Sequence, residues 1–177
     1  MLHILAEILS LSQYLTQYHE NKIERMTHCP CGRTHPWCHG GYSRQSDRLN
    51  ESSESLNPVF VQRYYCPGCR KTCSALPECI APRRWYVWET QQEAIFLMLL
   101  GQSAYAVEKK TKPSRYTLAR WFAWIMSQFI LIKDALCVHF PDLGIFTQPV
   151  DFWKALFKKM SLATAMRLCH TSGICIP

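Results

Sequence analysis

The sequence predicts a mainly α fold carrying a small β zinc ribbon. Its parts are an N-terminal helix, a cysteine ribbon and a helical domain that contains a helix-turn-helix. Three observations lead there. Cysteines form two close pairs, Cys29/Cys31 and Cys66/Cys69, separated by enough chain for a strand–loop–strand. The run VFVQRYY at 59–65 is β-branched and aromatic, and reads as a strand entering the second pair. From Trp85 onward the apolar residues recur at helical spacing. The expected divisions are 1–28 (N-terminal helix), 29–82 (zinc-ribbon module), 83–140 (helix-turn-helix-like domain) and 141–177 (C-terminal helices).

Along the chain, Leu2, Leu5, Ile8, Leu9, Leu15 and Tyr18 predict a helix over 2–20. HCPCGRTHPWCHGGYSR follows, too rich in Cys, His and Gly for a regular helix. DRLNESSESLN (47–57) reads as an exposed loop, and KTCSALPECIAP, with two prolines, ends the ribbon near Pro82. Trp88, Ile95 and Leu99 stripe a helix over 87–100 that Gly101 stops. Ser103–Lys110 makes a short helix. Lys112-Pro113-Ser114 gives a turn and an N-cap, and a long helix is expected from about Arg115 to Val138. Residues 151–159 and 161–169 predict two last helices.

Almost half of the 177 residues are hydrophobic, enough to build a core rather than a disordered chain. The net charge of +7 is unevenly placed: residues 63–132 hold ten Lys and Arg against four Asp and Glu. An anionic partner would therefore meet the middle of the chain. The first residues lack the basic start of a secretory signal, and no run reaches the roughly 18 apolar residues of a membrane span. A cytoplasmic protein is expected, and there close cysteine pairs hold metal more often than disulfides. Cys137, Cys169 and Cys175 stand singly in apolar text and read as small buried hydrophobes.

Cys66-Pro67-Gly68-Cys69 has the spacing of a zinc knuckle, with a glycine that lets backbone amides face the sulfurs. Cys29-Pro30-Cys31-Gly32 is a shorter partner, and His28, Cys38 or His39 offers a substitute for one of its sulfurs. CPCGRTHPWCHG also resembles the small zinc motif at the C-terminus of the SecA protein-export motor. That resemblance implies Cys29, Cys31, Cys38 and His39 as ligands, and leaves Cys66 and Cys69 unused. Four sulfurs leave no open coordination position, so the expected Zn2+ is structural.

Residues 89–131 contain the parts of a helix-turn-helix, its last helix beginning SRYTLARW. In that reading Ser114, Arg115, Tyr116 and Thr117 face base edges and phosphates, with Arg120 one turn on. Lys109, Lys110 and Lys112 lie over the phosphate backbone, and Leu118, Trp121, Phe122 and Ile125 pack inward. Arg83 and Arg84 contact phosphate, while Trp85 and Trp88 are structural.

Over residues 29–125 the chain resembles short, transposase-related proteins encoded in bacterial insertion sequences. The likeness is carried by VQRYYCPGCRKTCSALPECIAPRRWYVWE and SRYTLARW. It implies binding to mobile-element DNA, as the recognition portion of a system whose partner transposase subunit does the chemistry. Strand transfer commonly needs three carboxylates holding two metal ions. Beyond residue 100 only Glu108, Asp134, Asp142 and Asp151 are acidic, in helical text, so a non-enzyme is expected. Two other classes stay open. One is a zinc-stabilised protein-interaction module. The other is a single-strand or RNA binder with Tyr64, Tyr65, Trp85 and Tyr86 as stacking platforms.

Overall fold

The computed structural model describes residues 2–5, 8, 10–45, 58–81 and 86–174. About half of the chain is helical, with one small four-stranded sheet and a cysteine cluster. The chain divides into two compact units, Met1–Val87 and Trp88–Pro177.

In the first unit, β1 (Leu2–Leu5) and α1 (Leu11–His19) precede three longer strands, β2 (Trp37–Arg44), β3 (Val59–Cys66) and β4 (Lys71–Pro77). The sheet order is β1-β4-β3-β2. Strand β3 pairs antiparallel with β2 on one side and β4 on the other, with Trp37 opposite Tyr65 and Cys66 opposite Lys71. One face is dry at the cysteine end of the sheet, where Tyr64 and Cys66 of β3 join Cys73 of β4. Val59 and Val61 of β3, Ala75 of β4 and Tyr14 of α1 share the same core. Each such large side chain taken out of water contributes about 1.5–3 kcal/mol. Tyr14 donates from its phenol to the Phe60 carbonyl at 2.8 Å, which fastens α1 to β3.

The helix expected over 2–20 begins only at Leu11. Leu2–Leu5 instead form a strand that runs parallel to β4, Leu2 opposite Ser74 and Leu5 opposite Pro77. The reason is non-local: β4 has a free edge that an apolar tetrapeptide can complete. Amides of Glu78 and Cys79 then bond back to the carbonyls of Leu5 and Ile8. Ser10 accepts from the Gln13 amide at 3.2 Å and starts the helix afresh. Residues 1–28 are thus not a separate helical segment, since Leu5, Ile8, Tyr14 and Met26 share the core of the sheet. The segment KTCSALP, read only as the end of the ribbon, is the strand β4.

A bulge between Cys38 and Gly41 gives β2 one residue more than β3 there. Gly41 is needed because a Cβ would collide with the Phe60 ring and the Val61 carbonyl. The loop expected at 47–57 lies outside the described residues.

The second unit is helical: α2 (Trp88–Leu99), α3 (Ala104–Thr111), α4 (Arg115–Ser127), α5 (Phe129–Cys137), a 3₁₀ turn at Pro141–Ile145, α6 (Pro149–Lys159) and α7 (Leu162–Thr171). Side-chain N-caps at Ser103, Ser114 and Ser161 start α3, α4 and α7. Trp88, Ile95 and Leu99 are buried as their spacing implies, and so are Leu118, Trp121 and Ile125, whereas Phe122 is half-buried. The single helix expected from Arg115 to Val138 is broken at Gln128. Trp153 of α6 donates its indole N–H to the Ile125 carbonyl at 3.1 Å. An unbroken helix would pair that carbonyl with the Phe129 amide. Helices α6 and α7 pack on α2, and α7 also on α5, so residues 141–177 complete this core rather than stand apart.

Candidate metal centre and basic helical face

The cysteine cluster is built at one end of the sheet. Cys66 ends β3, Cys69 lies in the turn to β4, and Arg70 takes a left-handed φ of 56° to start the return. The opposing turn is tied by the Cys29 amide to the Arg33 carbonyl and by the Gly32 amide to the Cys29 carbonyl, each 2.8 Å. Gly32, at φ 89°, supplies a conformation that side-chain-bearing residues resist. That turn lets a pair with only one intervening residue aim two sulfurs inward.

Cys29 Sγ lies 3.8 Å from Cys69 Sγ, and Cys31 Sγ 3.6 Å from Cys66 Sγ. All four sulfurs fall within 4.8 Å of one another. A tetrahedral ion held by thiolates at about 2.3 Å keeps its sulfurs about 3.8 Å apart. The donor set therefore fits, and these four residues could hold a metal ion. Amides favour a thiolate at Cys66: hydrogen bonds from the Cys69 amide first, then from the Cys31 and Cys29 thiols and the Gly68 amide, bring it down to about 6 against the opposing effect of burial. Burial pushes the Cys29 thiol up to about 12.

The substitute ligands go elsewhere. Cys38 is exposed on β2 and accepts from Gln62 Nε2 at 3.0 Å. The His39 ring rests 5.8 Å from that of Tyr65, and His28 Nδ1 lies 3.0 Å from Thr27 Oγ1. The set that the SecA-like motif implies is thus not assembled. Of the lone cysteines, Cys169 is buried and Cys137 half-buried, while Cys175 lies outside the described residues. Arg33 is a site residue that the sequence reading missed. Its stem crosses the second turn so closely that a Cβ at Gly68 would come within 2.6 Å of Arg33 Cδ.

In the second unit, α3 and α4 meet through a three-residue turn. Lys112 caps α3 in the left-handed region at φ 66°, Pro113 is buried, and the Ser114 hydroxyl accepts from the Thr117 amide at 3.4 Å. Lys109, Lys110, Lys112, Ser114, Arg115, Tyr116 and Arg120 are exposed, and Thr117 is half-buried with its hydroxyl 3.1 Å from that of Ser114. Glu108 accepts from the Arg115 amide at 3.0 Å, and so covers one of the orphan amides of α4. The outer strip of α4 is Tyr116, Ala119, Arg120 and Ala123, with the Arg115 guanidinium 5.2 Å from the Tyr116 ring. Tyr105 was not anticipated. It is 55 % exposed, with Lys109 Nζ 4.4 Å above its ring, a contact that the i, i+4 spacing on α3 encodes. Arg83, Arg84 and Trp85 lie outside the described residues.

No helix is long and apolar enough to cross a membrane among the described residues. No curated protein and no solved structure matches the chain. A family model, described as a domain of unknown function (DUF6431), matches residues 29–121. That span runs from the first cysteine of the cluster to Trp121 in the core face of α4, and the chain belongs to the DUF6431 family.

Proposed function

We propose that this chain is a non-catalytic, transposase-related DNA-binding protein of a bacterial mobile element, which reads duplex DNA with α3 and α4 in a helix-turn-helix. The observation that carries the reading is the outer strip of α4. Tyr116, Ala119, Arg120 and Ala123 make a narrow face with a cation and an aromatic near its start, and Ala side chains keep the rest low. A major groove about 12 Å wide accepts a helix of this kind. Around it, Lys109, Lys110, Lys112 and Arg115 are exposed, and Glu108 is the single acid between residues 101 and 127. Phosphate contacts from such residues position the helix and make affinity salt-dependent.

The cysteine cluster acts as a zinc ribbon in this reading. Soft thiolates favour zinc or an iron–sulfur centre, and four sulfurs at tetrahedral spacing suit a closed zinc site that braces the fold. Of the four acids beyond residue 100, Glu108 caps α4 and Asp142 pairs with Lys159 at 2.7 Å, while Asp134 and Asp151 are exposed on α5 and α6. Chemistry would then come from a partner transposase subunit. The mobile-element assignment rests on the likeness of VQRYYCPGCRKTCSALPECIAPRRWYVWE and SRYTLARW to insertion-sequence proteins, and a cytoplasmic, nucleoid-bound location goes with it.

The test is duplex binding across a salt series, with zinc content per chain, in the wild type, Arg120→Ala and Cys66→Ser/Cys69→Ser. One zinc per chain, steep weakening with salt, and a loss of about tenfold or more in Arg120→Ala are expected. Zinc without duplex binding at low salt sinks the DNA reading and favours the protein-interaction module.

A further inference from the structure

The sheet of the first unit has a second face, and at its cysteine end that face is aromatic. Trp37 and Tyr65 are register partners on β2 and β3, and Thr72 of β4 is the next residue in the row. Trp37 is 60 % exposed, an unusual state for a tryptophan, and its ring centroid lies 6.2 Å from that of Tyr65 at 46°. His39 adds a third ring, 5.8 Å from Tyr65. The dry face is already filled by Tyr64, Cys66 and Cys73, so these outer rings contribute little to the core.

The charge around the rings has one sign. Arg63 lies next to Tyr65 on β3 and donates from Nη2 to Thr72 Oγ1 at 3.1 Å, which holds its guanidinium over the outer face. Arg33, Arg70 and Lys71 are exposed in the turns at the same end. Residues 25–45 and 58–77 contain no Asp or Glu. A cluster of tilted rings, with Trp37 and His39 exposed and cations beside it among the described residues, fits a ligand that offers flat apolar faces and negative charge in alternation. An unpaired nucleic-acid strand does so, whereas in a duplex the base faces are already stacked. An acidic protein segment would satisfy the cations but leave the rings without a partner.

We propose that Trp37, Tyr65 and His39, with Arg63 beside them, form a stacking site for unpaired DNA, separate from the duplex-reading face of α3 and α4. Trp37 takes a base on its exposed ring, Tyr65 backs it, and Arg63 and Lys71 meet the phosphates on either side. The site would engage DNA where strands are open; the choice of DNA rests on the proposed mobile-element reading, whereas the stacking geometry does not depend on the helix-turn-helix.

The experiment uses the full chain with a fluorescent fifteen-nucleotide oligo-dT strand and, separately, a hairpin duplex. The variants are Trp37→Ala, Trp37→Phe and Arg120→Ala. Expected is a loss of about tenfold in oligo-dT affinity for Trp37→Ala, with most of it restored in Trp37→Phe and no change in Arg120→Ala. Duplex affinity should stay unchanged in both Trp37 variants. Trp37 is exposed, so its truncation leaves the core intact, and an unaltered circular dichroism spectrum verifies this. Oligo-dT affinity that ignores Trp37→Ala, no oligo-dT binding at 50 mM salt, or tighter binding of oligo-rU would each overturn the proposal. Duplex binding lost in Arg120→Ala alongside an oligo-dT effect confined to Trp37 separates the two faces.

Discussion

At Cys66, amide hydrogens from its own turn converge on one sulfur and favour the thiolate that metals require. If the cluster holds zinc as proposed, Cys66→Ser should release it, taking zinc per chain, read with a colorimetric chelator, from about one to near zero. Cys38→Ser, on exposed β2, should keep it. Spacing alone pointed to Cys66 and Cys69, because a two-residue gap containing glycine already encodes the turn. Choosing among Cys31, Cys38, His28 and His39 needed the register of β2 on β3, which no local pattern carries. The same register separates Tyr64 from Tyr65: the first is buried and cannot stack on a base, while the second faces outward. Burial also raises the Tyr14 phenol to about 12 from its ordinary 10.0. The neutral phenol stabilises the fold fully below pH 10, and that contribution drains away as pH climbs from 10 to 12. Tyr14→Phe, which loses the bond to Phe60, should be about 1 kcal/mol less stable than the wild type at pH 8. The gap should close between pH 10 and 12 in urea melts. A gap constant across that range counts against a buried neutral phenol.

Among the elements, the turn between α3 and α4 sets two demands against each other. Lys112 holds a left-handed conformation that costs a residue with a side chain about 1 kcal/mol relative to glycine. Lys112→Gly should raise the melting temperature of the helical unit by a few degrees. In the proposed complex it should also flatten the salt dependence of duplex binding by about one phosphate contact. A variant that stabilises without changing the salt slope would remove Lys112 from the interface. At the break between α4 and α5, Trp153→Phe deletes the donor to the Ile125 carbonyl and part of the core, at a cost of about 2–3 kcal/mol by thermal denaturation. Helix starts were legible because Ser103, Ser114 and Ser161 cap through their own hydroxyls, a local interaction. The break at Gln128 was not, since its cause sits on α6. The β1 strand escaped notice for the same reason: its apolar spacing suits a helix until β4 is there to pair with.

For the whole molecule, the division into two units predicts two responses to chelation. Six of the seven helices among the described residues belong to Trp88–Pro177, whose core contains no part of the cysteine cluster. Stripping the proposed zinc with a strong chelator should melt the sheet unit and leave most of the helical circular dichroism signal. Protease should then cut before residue 88 and spare the segment that follows. Collapse of both units together would mean that their folding is linked. The parallel pairing of β1 with β4 also has a consequence for synthesis. Leu2–Leu5 leave the ribosome well before Ser74–Pro77, so the strand waits, apolar and unpartnered, until the last of the sheet is made. Its closure is the longest-range event in the unit and carries the largest loop entropy. Until then the nascent chain shows a short greasy tag, of the kind that chaperones grip and that neighbouring chains on a crowded polysome could zip onto.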